Sequence, residues 1–369
     1  MTDDERRSAA AAALAADLLR DARTRITPAE RRQRRRIAAL VEDEPSREFL
    51  LELTDQVLRI RTPRRAAARL ADLVDTFRSP AMAGPLDRAA LALAGRLART
   101  APRLVVALAT ARLRRELATL VLPAEPRPLG RHLRQRRSQG MRLNVNLLGE
   151  AVLGEDQARE RARLVIELLG RPDVDCVSVK LSSLDSQLDV LAYDQSLERV
   201  RERLRPIFEA AVHRSPAKLV YLDMEEYRDL HLTVDAFTSL LDAPPFTSTV
   251  AGLALQAYLP DSAEVLADLC AFARRRFART GAPVRVRLVK GANLAMERVE
   301  AELRGWAQAP YATKAEVDAN YKRLLDLALA PENAGALQVG VASHNLFDVG
   351  WALVRNDEAG GGRLEIEML

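Results

Sequence analysis

From residue 141 onward the chain repeats one pattern, a short β-rich apolar run followed by an amphipathic stretch long enough for a helix. The runs are RLNVNLLG (142–149), CVSVKLSS (176–183), KLVYLDME (218–225), GLALQAYL (252–259), VRVRLVKG (284–291), LQVGVASH (337–344) and RLEIEML (363–369). Between them lie segments such as DQARERARLVIELLG and SAEVLADLCAFARRRFA, whose apolar residues recur at helical spacing. Strands alternating with helices imply a parallel sheet, because parallel neighbours need a crossover connection that usually holds a helix. That leaves an open doubly wound sheet or a closed (β/α)8 barrel. No strand leads into a GxGxxG or Walker A sequence, and polar residues end nearly every run rather than gathering at one crevice. Both observations favour a TIM-type barrel with seven strands present and the eighth missing.

The strand ends carry Lys180, Asp223 with Glu225, Gln256 with Tyr258, Arg287 with Lys290, and His344 with Asn345. In a barrel these carboxyl ends converge on one mouth, where the positive groups suit an anionic substrate or a phosphorylated cofactor and Asp223 is placed to hold a cation or orient Lys180. Each residue also has a plain structural reading. Lys180 could simply pair with Asp223, Arg287 could be one more surface arginine, and a lone histidine such as His344 is usually a hydrogen-bonded packing residue. The array is harder to explain that way, since a charge pointing into a core must be paired or used. Lysine is also rare: 51 of the 56 basic residues are arginine, and the five lysines are Lys180, Lys218, Lys290, Lys314 and Lys322.

Several chemistries are disfavoured. The four histidines (His132, His213, His231, His344) show no HxH or HExxH spacing, so no metal is expected. No GxSxG elbow or Cys-His pairing marks a nucleophile, although a Schiff-base lysine at Lys180 or Lys290 stays open. Cys176 and Cys270 read as reduced packing residues. Residues 1–140 form a separate, helical, Arg-rich region with linker, holding 29 basic and 17 acidic residues. Its RRQRRR cluster (31–36) is read as a solvated face, without specific nucleic-acid binding. No apolar run approaches a membrane span, and Asp3, Asp4 and Glu5 are the wrong charges to begin a secretory signal. The expected location is cytoplasmic, or peripheral at the inner face of the membrane.

The segments MRLNVNLLGEAVLGE, VSVKLSSL, LVYLDMEEY, LALQAYLPD, VRLVKGANLAMERVEAE, APYATKAEVDANYKRLL and VGVASHN follow one another in order across residues 141–369. Together they resemble the proline dehydrogenase domain of proline utilisation A, the bacterial bifunctional flavoenzymes of proline catabolism. The Arg-rich region more loosely resembles the arm and α-domain that precede that barrel. The resemblance implies a distorted (β/α)8 barrel that binds FAD at the strand ends and oxidises L-proline to Δ1-pyrroline-5-carboxylate, passing electrons to a membrane quinone. It implies a fused or adjacent aldehyde dehydrogenase domain in the full-length protein.

By position, the resemblance assigns Lys180 to the proline carboxylate and Asp223 to the acidic residue beside it. Gln256 and Arg287 match groups bonded to the flavin ring, with Arg287 near N5. Lys290, Gly291 and Ala292 match the loop on the FAD phosphates and ribose. Ser343, His344 and Asn345 match a further flavin-contacting turn, and Met368 and Leu369 match a strand end beside the isoalloxazine, Leu369 also touching substrate. Lys180, Asp223 and Arg287 are thus the expected catalytic set. Hydride transfer needs proline and flavin held together rather than a nucleophile, so the missing triad agrees. Two departures stand out. Asn293-Leu294 replaces residues that are often aromatic, and the sequence ends at Leu369, before the eighth strand with its substrate-binding arginine pair, so this chain alone is expected to be inactive. The competing readings are a lysine-dependent aldolase barrel and a non-catalytic fragment with a basic helical binding module.

Overall fold

The computed structural model describes the chain except residues 1, 29, 32–33, 36–37, 39–41, 58–59, 61, 78–84, 118–121, 123, 149–151 and 369. Helices come first: α1 (Asp3–Arg25), α2 (Glu44–Glu52), α3 (Pro63–Phe77), α4 (Pro85–Leu97), α5 (Pro102–Leu117) and α6 (Pro126–Ser138). Strands and helices then alternate as β1 (Asn144–Asn146), α7 (Glu155–Gly170), β2 (Cys176–Lys180), α8 (Tyr193–Val212), β3 (Leu219–Asp223), α9 (Leu230–Asp242), β4 (Ala251–Gln256), α10 (Ser262–Thr280), β5 (Val284–Val289), α11 (Leu294–Arg304), α12 (Lys314–Ala328), β6 (Leu337–Ala342), α13 (Leu346–Glu358) and β7 (Leu364–Glu367). All seven expected strands are present.

Two compact units result, one of residues 21–131 and the other of residues 1–20 with 132–369. The first is a helical bundle closed over Phe49, Leu53, Val57, Leu70, Leu73 and Val105. Of the arginine cluster at 31–36, Arg31, Arg34 and Arg35 are described, and all three are exposed. In the linker expected before residue 140, Pro126–Ser138 form the helix α6.

In the second unit the strands pair in sequence order, every pair parallel. The sheet curls into a (β/α)8-type barrel with seven strands among the described residues. Arg142, just before β1, ion-pairs with Glu365 of β7, so side chains join the two ends of the sheet. Outward-facing Val177, Val179, Val220, Leu222, Leu253, Leu255, Val286, Leu288, Val339 and Val341 are buried. The alternate positions face inward and are largely polar, unlike the branched apolar layers that usually fill such a barrel. Fully buried Arg276 of α10 donates to the carbonyls of Ala282 (2.9 Å) and Thr249 (2.6 Å), tying the entries of β5 and β4 together. Those bonds compensate part of the cost of burying the charge, while its Nε has no hydrogen-bond partner among the described residues.

The first helix belongs to this unit through residues 3–20. Buried Ala11 lies against Gly350 of α13, and Arg7 pairs with Glu358 at 2.8 Å. Cys270 is buried and Cys176 half-buried, both with free thiols.

Candidate active site

The centre of the barrel is organised by Arg287. Period-two alternation along β5 turns Arg285 and Arg287 inward while Val286 and Leu288 pack outward. The Arg287 guanidinium, 8% exposed, donates from Nη1 to Asp223 Oδ1 at 2.9 Å and from Nε to Glu367 Oε2 at 2.6 Å. It stacks 4.0 Å from the Tyr221 ring centre, a cation-π arrangement. Tyr221 in turn occupies the space a side chain at Gly252 would take. Ser178 donates to Asp223 Oδ1 (3.1 Å), and Asn146 donates to its Oδ2 (3.1 Å). Burial pushes the Asp223 and Glu367 carboxyls up from their ordinary range against the pull of Arg287. Burial opposes the charge on Arg287 too, but Glu367 and Asp223 outweigh it and raise its pKa.

Lys180 stands in register with Asp223 across the β2–β3 pair. Its ammonium does not pair with Asp223, however. It pairs with Glu225, two residues farther along the β3 segment, whose second oxygen accepts from Ser182 Oγ at 3.0 Å. The shared register brings Lys180 and Asp223 side by side, but Asp223 is already claimed by Arg287, Ser178 and Asn146.

Gln256 ends β4, the next strand of the sheet. Its Nε2 donates to the Glu225 carbonyl at 2.9 Å, while its buried Oε1 has no hydrogen-bond partner among the described residues. The β5–α11 loop passes over Tyr258 at Gly291, where φ is +124° and an added Cβ would lie 2.5 Å from the ring. Only glycine accepts that conformation and approach. Lys290 does not project freely. Its ammonium pairs with Asp318 and with Asp348 Oδ2 (2.7 Å), and these carboxylates raise its pKa despite burial. Ser343 Oγ donates to Asp348 (3.0 Å), joining the β6 turn to the same cluster. Asn345 caps α13 by accepting from the Phe347 amide (3.0 Å), and His344 and Ala292 are exposed. Met368 is 53% exposed, and Leu369 lies outside the described residues.

The family model for proline dehydrogenase matches residues 129–369, which is the barrel and the helix leading into it. The chain belongs to the proline dehydrogenase family. It is 27% identical over 241 residues to proline dehydrogenase 2 of Bacillus subtilis (strain 168), covering 64% of this chain and 68% of that protein. Proline utilization A from Corynebacterium freiburgense is 50% identical over 70% of this chain, with a TM-score of 0.67. The structure of proline utilization A from Bdellovibrio bacteriovorus inactivated by N-propargylglycine is 26% identical over 98% of this chain, with a TM-score of 0.78. This chain spans 27% and 37% of the length of those two proteins.

Within this family fold, two site residues escaped the sequence-based expectation. Glu225 was visible as a strand-end carboxylate but not as the partner of Lys180. Glu367 was passed over for Met368 and Leu369, although the LEIE alternation of β7 turns Glu365 and Glu367 to the same side as Arg285 and Arg287. Period two was the available signal.

Proposed function

We propose that this barrel oxidises L-proline to Δ1-pyrroline-5-carboxylate with FAD as the resident cofactor and a membrane quinone as final acceptor. In the full-length protein it would work beside an aldehyde dehydrogenase domain. The observation that carries this reading is the placement of Lys180 in register with Asp223, and of Asp223 in an ion pair with Arg287, inside one barrel of a chain of the proline dehydrogenase family. The residues present fit a flavin. The unpartnered Gln256 Oε1 can accept from a ring N–H. When bound, FAD supplies the two-electron acceptor.

The protein's own groups then do the binding and orienting. Lys180 offers a point charge to the substrate carboxylate, with Glu225 and Ser182 fixing its position. Arg287, anchored on both sides, presents a cation where electron density rises during the reaction. Gln256 would bond the ring edge. Gly291 and Ala292 would let the loop lie along the cofactor's ribose and phosphates, with Lys290 as a nearby positive charge. Ser343, His344 and Asn345 would form the facing turn, while Met368 and Leu369 would lie beside the reacting centre. An aldolase is disfavoured at Lys290, because an amine held protonated by two carboxylates is a poor nucleophile.

A visible spectrum of the purified full-length protein, followed by proline-dependent dye reduction, tests the reading. A flavin spectrum that bleaches with proline is expected. Colourless protein with a borohydride-trappable substrate adduct would overturn it in favour of the aldolase.

A further inference from the structure

Arg287 has two anionic partners, and only Asp223 belongs to the expected catalytic set. The second, Glu367, reaches over β6 from β7 to bond Nε at 2.6 Å. The approach is built into the backbone. Gly340 of β6 lies between β5 and β7 in the sheet, and a Cβ there would collide with the Glu367 carboxylate. The other carboxylate oxygen, Oε1, is buried and has no hydrogen-bond partner among the described residues, so Arg287 is the main compensation for this charge. Glu365, two residues earlier on the same face, bonds Arg285 (3.0 Å) and Arg142 and does not engage Arg287.

We infer that Glu367 is a positioning residue for Arg287, holding the guanidinium on the barrel axis and offsetting its charge, and that it thereby lowers the reduction potential of the flavin bound at the strand ends. This rests on the proposed flavin reading. One cation between two carboxylates leaves the trio net negative, which disfavours the electron-rich reduced ring. With Glu367 neutral, the Arg287–Asp223 pair is balanced and reduction becomes easier.

The test is the two-electron midpoint potential of the flavin-loaded full-length protein, measured by dye equilibration. Glu367→Gln should raise it by about tenfold in the reduced-to-oxidised ratio, about 30 mV for two electrons. Gly340→Ala keeps the charge but displaces the carboxylate, and should move the potential the same way. Glu365→Gln should leave it unchanged, and Arg287→Met should lower it. A shift in Arg287→Met with none in Glu367→Gln and Gly340→Ala would overturn the inference while leaving the flavin reading intact. Equal shifts in Glu365→Gln and Glu367→Gln would also overturn it, as a general charge effect. Absence of flavin from the wild-type protein would remove both.

Discussion

Lys180 shows how far residue-level reasoning reaches. Its rarity and its place at the end of β2 marked it in the sequence, yet its partner could not be read there. Register places it beside Asp223, and only the three-dimensional competition for Asp223 hands Lys180 to Glu225. If Lys180 receives the substrate carboxylate, Lys180→Ala removes a charge-assisted bond worth about 1.5–3 kcal/mol. The proline KM should rise roughly 10- to 150-fold with flavin content near wild type. Steady-state kinetics on the full-length enzyme checks this, and an unchanged KM would release Lys180 from the role. Glu367 was missed for a different reason. Acidic residues in a net-basic chain look like surface charge until the alternation of β7 is laid against that of β5.

The elements were easier to read than their junctions. Six of the seven strands lie within the predicted runs and β4 begins one residue before its run, because outward valines and leucines alternate with inward polar groups, a pattern local enough to see in one dimension. The loops above them depend on contacts between distant segments. Gly291 shares its space with Tyr258, so Gly291→Ala should strain the backbone by about 1–3 kcal/mol, lowering the urea midpoint and weakening flavin retention in the same preparation. Unaltered unfolding would mean the loop has room to move. The β3–α9 connection holds a second case. Asp229 is buried, its nearest cation Arg228 is 3.9 Å away, and burial raises its pKa to about 6, with Glu226, Glu225 and Glu297 adding to the rise. Because the folded value lies above the unfolded one, the protonated form favours folding. That contribution is present below about pH 4 and is lost as pH rises through about 6. Asp229→Asn should therefore stabilise the protein by up to about 3 kcal/mol at pH 7.5 and by little at pH 4. Chemical unfolding at the two pH values decides it, and a gain independent of pH would rule out the titration.

At the scale of the whole molecule, composition separated an Arg-rich helical region from a strand-bearing one, but the grouping of α1 was not legible. Its AAAAALAAD stretch reads as generic helix, and nothing in one dimension says that Ala11 meets Gly350, some 340 residues away. The small side chains matter because they let two backbones approach. A Cβ on Gly350 would lie 2.6 Å from the Ala11 carbonyl oxygen, a contact neither helix can relieve by rotating a side chain. Gly350→Val should therefore force α1 away from α13 at a cost of about 1–3 kcal/mol, the usual range for overpacking. The Arg7–Glu358 pair would then be stretched or broken. Since that pair is partly exposed, its loss adds little to stability, and the effect should stay local. Amide exchange in residues 3–20 should speed up markedly, while the proline KM of the full-length enzyme remains within twofold of wild type. Protection of those amides equal to wild type would show that α1 tolerates the added side chain and that the close approach at Gly350 is not what seats it.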